Sequence, residues 1–109
     1  MPFYVVKTPN AFSEATAFSP GRKLARTSTG VLWCCYAGPV AGVMQIFVAY
    51  SVDDGISWVE EQVTAAAVRN QQYPSIAIDS ADNVHLAWRD YAIATTSDIF
   101  YRRRTAGGW

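Results

Sequence analysis

The sequence predicts an all-β chain, and three observations carry that prediction. Apolar runs are short and mostly alternating or β-branched, Gly, Asn, Asp and Pro separate them, and no window longer than ten residues holds a clean helical period. The first expected strand, 3–7 ("FYVVK"), is aromatic and β-branched. The next two, 22–27 ("RKLART") and 31–36 ("VLWCCY"), flank the turn-forming residues "STG". Residues 45–51 ("QIFVAYS") follow a Gly-containing stretch, and 57–63 ("SWVEEQV") follow "DDGI". Pro74 opens the strand expected over 74–79, which "SADN" closes. Residues 84–89 ("VHLAWR") set large apolar side chains at alternate positions, and 98–104 ("DIFYRRR") form the last run.

Bulk properties narrow the function classes. A length of 109 residues fits one small domain. Lys plus Arg and Asp plus Glu number nine each, which removes the electrostatic footprint of a nucleic-acid or membrane-surface binder. Half the residues are hydrophobic, with four Trp and six Tyr, as a packed core requires. Cys34 and Cys35 are adjacent, so a strand points them to opposite faces and a mutual disulfide would be strained; they read as free thiols. With His85 the sole histidine, no metal site and no cofactor is expected. The N-terminal "MPFYVVKTPN" lacks a basic leader followed by a long apolar run, and nothing approaches a membrane span, so a soluble chain is expected.

The chain repeats itself. A shift of 52 lays "RKLARTSTGVLWCCY" (22–36) over "PSIAIDSADNVHLAWR" (74–89), so that Leu24 meets Ile76, Ser28 meets Ser80, and Leu32, Cys34 and Tyr36 meet Val84, Leu86 and Trp88. At a shift of 53 "IFVAY" (46–50) meets "IFYRR" (99–103), and at 51 Trp58 meets Trp109. A period near 50 with four strands per unit is the signature of propeller blades.

Between the third and fourth strands of the first unit lies "SVDDGISW" (51–58). Gly55 can supply the positive φ of a tight hairpin, Asp53 can accept from turn amides, the hydroxyls of Ser51 and Ser57 can tie down neighbouring backbone, and Trp58 can cover the turn. The pattern resembles the Asp box, S-x-D-x-G-x-T-W, or bacterial neuraminidase repeat, with Ser57 in place of Thr. In the corresponding place of the second unit "RRRTAGGW" (102–109) keeps the glycines and Trp109 but has no Ser or Asp. Asp53 and Asp54 are therefore expected to be structural, since a glycosidase pair converges across a cleft and an EF-hand needs a longer ligand series.

The resemblance, which covers residues 20–109, is to the sialidase-like β-propellers. It implies about two four-stranded antiparallel blades within one partial propeller over 1–109: an N-terminal strand and lead-in at 1–20, a first blade at 21–63, and an incomplete second blade at 64–109. Two blades cannot bury their cores alone, so the expectation is either a fragment of a longer propeller or copies that assemble, with the 3–7 strand of one copy completing the second blade of another. Sialidases of this class clamp a sialic acid carboxylate with arginines, the first in an R-I-P motif. Here Gln72 and, by the repeat, Pro20 occupy that arginine's position, with Arg22 displaced by two, and a glutamine cannot replace a bidentate guanidinium.

By the same resemblance, ligands bind at the face away from the Asp box, expected here in loops at 37–44, 64–73 and 89–97. Their polar and aromatic members include Arg69, Gln72, Tyr73, Arg89, Asp90 and Tyr91, which suit a sugar; the plainer reading is an Arg89–Asp90 ion pair beside a solvated loop. His85 is expected to pack between blades, and Arg102, Arg103 and Arg104 to protect a strand edge. Two functions follow: a non-catalytic module for glycan recognition or assembly, or a portion of a sialidase-like exo-glycosidase whose catalytic residues lie beyond residue 109. An extracellular or virion-surface setting suits the first; partners would be a glycan, further copies or further blades, with no nucleic acid and no membrane.

Overall fold

The computed structural model describes residues 4–7, 21–92 and 96–109. Seven strands form two antiparallel sheets. The first sheet has the order β1 (Leu24–Arg26), β2 (Leu32–Val40), β3 (Val43–Ser51), β4 (Val59–Gln62). The second has the order β5 (Asn70–Ile78), β6 (Val84–Tyr91), β7 (Ser97–Arg104). The described residues contain no helix, so none is long and apolar enough to cross a membrane.

The sequence repeat is reproduced in the strand pairing. Leu24, Ala25 and Arg26 pair with Cys34, Trp33 and Leu32; 52 positions on, Ile76, Ala77 and Ile78 pair with Leu86, His85 and Val84. Leu32 and Trp33 pair with Ser51 and Tyr50, and their counterparts Val84 and His85 pair with Arg104 and Arg103, a shift of 53 on the β7 side. The one-residue difference is absorbed in the β6–β7 connection, and both sheets keep one register.

The core lies between the sheets. Trp33, Cys35, Ala37, Ile46 and Val48 of the first sheet pack with Ile76, Val84, Leu86 and Trp88 of the second, and Val63 closes the cluster. In repeat terms the two contributions are not the same face. Leu86 and Trp88 correspond to Cys34 and Tyr36, which alternate with Cys35 and point away from the second sheet. Equivalent units are thus stacked front to back, a heterologous contact, rather than front to front about a two-fold axis. Backbone also joins them: the Ile76 amide donates to the Arg22 carbonyl at 2.9 Å, and the Ser28 amide to Asp82 Oδ1 at 2.7 Å.

Cross-sheet polar contacts close the far side. Glu61 on β4 takes a bidentate bond from Arg104 on β7, Nε at 2.9 Å and Nη2 at 3.0 Å, and a third from the Trp109 indole at 3.0 Å. The Arg104 guanidinium lies 5.1 Å from the Trp33 ring centroid and 5.9 Å from that of Tyr50. Arg102 donates to the Val63 carbonyl at 2.6 Å. The expectation of edge protection by the arginine run is corrected at two of its three members: register places Arg102 and Arg104 on the inner face, where they join the sheets.

Other expectations are also corrected. Residues 4–7 form no strand; Lys7 instead pairs with Glu60 at 3.1 Å, while residue 3 lies outside the described residues. The 37–44 segment is mostly strand, because β2 and β3 close through Ala41 and Gly42, whose φ of 51° and 82° give the doubly positive turn that matches strand twist. Strand β5 begins at Asn70 and β6 runs to Tyr91, so the ends of the expected 64–73 and 89–97 loops are sheet. His85 lies on the outer face of the second sheet, turned away from the first. It faces outward, bonded to Asp79 Oδ2 at 2.9 Å and Tyr101 Oη at 2.8 Å.

Candidate functional site

The acidic octapeptide forms a closed hydrogen-bonding unit. Ser51, buried, donates to Asp53 Oδ1 at 2.8 Å and accepts from the Gly55 amide at 2.8 Å. Asp53 Oδ1 also accepts from the Ser57 amide at 2.9 Å, and Oδ2 accepts from the Ser57 hydroxyl. Trp58 folds back and donates its indole N–H to the Gly55 carbonyl at 2.9 Å, while Gly55 takes a φ of 90°. The Ser57 bonds first, and then Ser51, hold the Asp53 carboxyl down to about 2. Asp54 points elsewhere and pairs with Arg26 at 2.9 Å. The two carboxylates serve different partners, and the Asp53 oxygens are occupied within the turn.

At the other end of the sheets the six expected ligand residues separate into two groups. Arg69 and Asp90 belong to one network, in which Asp90, Gln71 and Trp88 are buried and Arg69 is half-buried. Asp90 accepts from Arg69 Nε and from Gln71 Nε2, the latter at 2.6 Å, and Trp88 donates to Gln71 Oε1 at 2.6 Å. Arg69 also reaches Asp98 at 3.4 Å. Burial pushes the Asp90 carboxyl up, but its bonds to Gln71 and Arg69 outweigh that and leave it below the ordinary value. Asp90 thus pairs with Arg69, not with Arg89 as the plainer reading expected, because successive strand residues point to opposite faces.

Tyr73, Arg89 and Tyr91 form the second group, on the outer face, with Gln72 opposite Arg89 in the β5–β6 register. The Arg89 guanidinium lies 4.2 Å from the Tyr91 ring centroid and 5.9 Å from that of Tyr73, and its Nε donates to Ser97 Oγ at 2.9 Å. Tyr73 reaches this position through a bulge between Gln72 and Ser75, where its own φ is 56°. Beside the cluster runs a shallow groove of about 300 Å³ lined by Tyr73, Ser75, Ala87, Trp88, Arg89 and Ile99. No side chain or backbone acceptor among the described residues meets the Arg89 Nη groups. Aromatic faces beside open guanidinium donors can hold a polar ring with hydroxyl acceptors.

Sequence reasoning passed over Ser75, Trp88, Ser97 and Ile99 as members of this end of the molecule. Alternation from Arg89 through Ala87 would have marked the outer face, but the bulge breaks that count on β5. Pro20 lies outside the described residues. Cys34 and Cys35 are free thiols, both pushed up by burial, Cys35 to about 12, which makes them poor nucleophiles and ligands. No group of three or more His, Cys, Asp or Glu side chains suited to a metal occurs among the described residues. Comparison with protein-family models, curated proteins and solved structures found no match to this chain.

Proposed function

We propose that the chain is a non-catalytic segment of an Asp-box β-propeller that binds a glycan at the end opposite the SVDDGISW turn. The observation that carries the binding reading is the Tyr73–Arg89–Tyr91 cluster, whose guanidinium, bonded through Nε to Ser97 among the described residues, lies beside a groove with an aromatic wall. The propeller reading draws support from the shared register of the two sheets and from their front-to-back stacking, the relation that neighbouring blades of a ring must have. Sugar hydroxyls would accept from Arg89, and the ring would lie along the groove against Tyr73 and Ile99.

Binding to a panel of immobilised glycans, followed by calorimetry on the best binder, tests the proposal. Arg89→Ala and Tyr91→Ala are each expected to weaken binding at least about tenfold without changing the melting temperature. Absence of binding across neutral and acidic glycans, or affinity indifferent to both substitutions, would sink it. Turnover of a fluorogenic sialoside would instead favour the exo-glycosidase reading.

A further inference from the structure

We infer that the chain associates with itself front to back, the outer face of the second sheet in one copy receiving the outer face of the first sheet in another. The inference starts from the repeat. The first sheet's Trp33 and Cys35 are covered by Ile76, Val84 and Leu86 of the second sheet, all at most 2% exposed. The counterparts of the covered residues are His85 and Ala87, on a face that no further sheet covers among the described residues. The counterparts of the covering residues are Leu24, Leu32 and Cys34, of which Leu24 is 53% exposed and the others half-buried. Each copy therefore carries both halves of an interface already formed once inside it.

The receiving face has the shape for this. Ser75, Ala77 and Ala87 are small, and with His85 and Tyr101 they line a shallow groove of about 160 Å³. Its lining is mostly apolar, and Tyr101 and Ile99 beside it on β7 are 61% and 75% exposed. Tyr101 is positioned by its bond to His85, which Asp79 anchors in turn. Leu24 and Leu32 of a second copy supply the apolar side chains that such a groove lacks. Among the described residues no further sheet lies against either outer face, and a second copy is an occupant present wherever the protein is. The Lys7–Glu60–Tyr36 contacts lie farther along the first sheet, away from Leu24 and Leu32, whereas the groove beside the Arg89 cluster shares Ser75 and Ala87 with the receiving face.

Light scattering on the 109-residue chain without sugar tests this. The mass is expected to rise with concentration above the 12.0 kDa of one chain. Ala87→Arg blocks the receiving face and Leu24→Asp the inserting face, and each variant alone is expected to remain monomeric with an unchanged circular dichroism spectrum. Mixing them leaves one intact face of each kind, so the mixture is expected to form a dimer of twice the chain mass and nothing larger. A wild-type chain that stays monomeric to millimolar concentration overturns the inference. So does a mixture that does not dimerise, and so does association that occurs only on adding sugar. The readout requires no glycan, so it stands or falls apart from the binding reading, though it shares the repeat on which that reading draws.

Discussion

Two neighbouring aspartates, Asp53 and Asp54, have opposite fates because one faces into its turn and the other out of it. Asp53 accepts from Ser51 and from both polar groups of Ser57, whereas exposed Asp54 pairs with Arg26. Those bonds favour the charged form, and the sign of the pH effect follows. The Asp53 carboxyl is held down to about 2, against about 3.9 for an unstructured chain. Its stabilising contribution is therefore complete above about 3.9 and is lost as pH falls through the folded value. Asp53→Ala is expected to lower the melting temperature at neutral pH, with the gap to wild type constant down to about pH 4 and narrowing below it. A gap that stays constant through the acid range in thermal scans would show that charge on Asp53 contributes nothing. The composition S-x-D-x-G-x-S-W made the turn legible because every donor and acceptor lies within eight residues.

At the scale of a strand, alternation decides what each polar residue can do. Along β6, Val84, Leu86, Trp88 and Asp90 point inward and His85, Ala87, Arg89 and Tyr91 outward, so Asp90 becomes the acceptor of a buried network while its neighbour Arg89 meets solvent. Asp90→Ala would leave Gln71 and Arg69 short of their acceptor, and a loss of about 2–3 kcal/mol in urea unfolding is expected. Arg89→Ala should stay within about 0.5 kcal/mol of wild type; equal losses would contradict the division between faces. The strands themselves were largely legible: 84–89 became Val84–Tyr91 and 98–104 became Ser97–Arg104. Two features were not. The β2–β3 turn rests on Ala41 at positive φ, which no strong turn dipeptide announces. The bulge at Tyr73 adds a residue that a count by twos cannot foresee, and it decides which face that tyrosine joins.

In the whole molecule, the sheets are held together by contacts between residues far apart in sequence. The Glu61–Arg104 pair, backed by Trp33, Tyr50 and Trp109, spans the interface opposite the Arg22–Ile76 backbone bond. A double-mutant cycle with Glu61→Ala and Arg104→Ala is expected to give a coupling of about 1–2 kcal/mol. Coupling near zero would mean that apolar packing alone joins the sheets. The sequence by itself determined the all-β class, the repeat near 50 residues, the approximate places of seven of the eight expected strands and the acidic turn, because each is set by neighbours within one strand or one hairpin. Only the tertiary structure decided which face of one unit meets which face of the next. Both faces of these strands carry apolar residues, so alternation marks two faces without ranking them, and the choice is made where Leu86 and Trp88 meet Cys35 and Ile46.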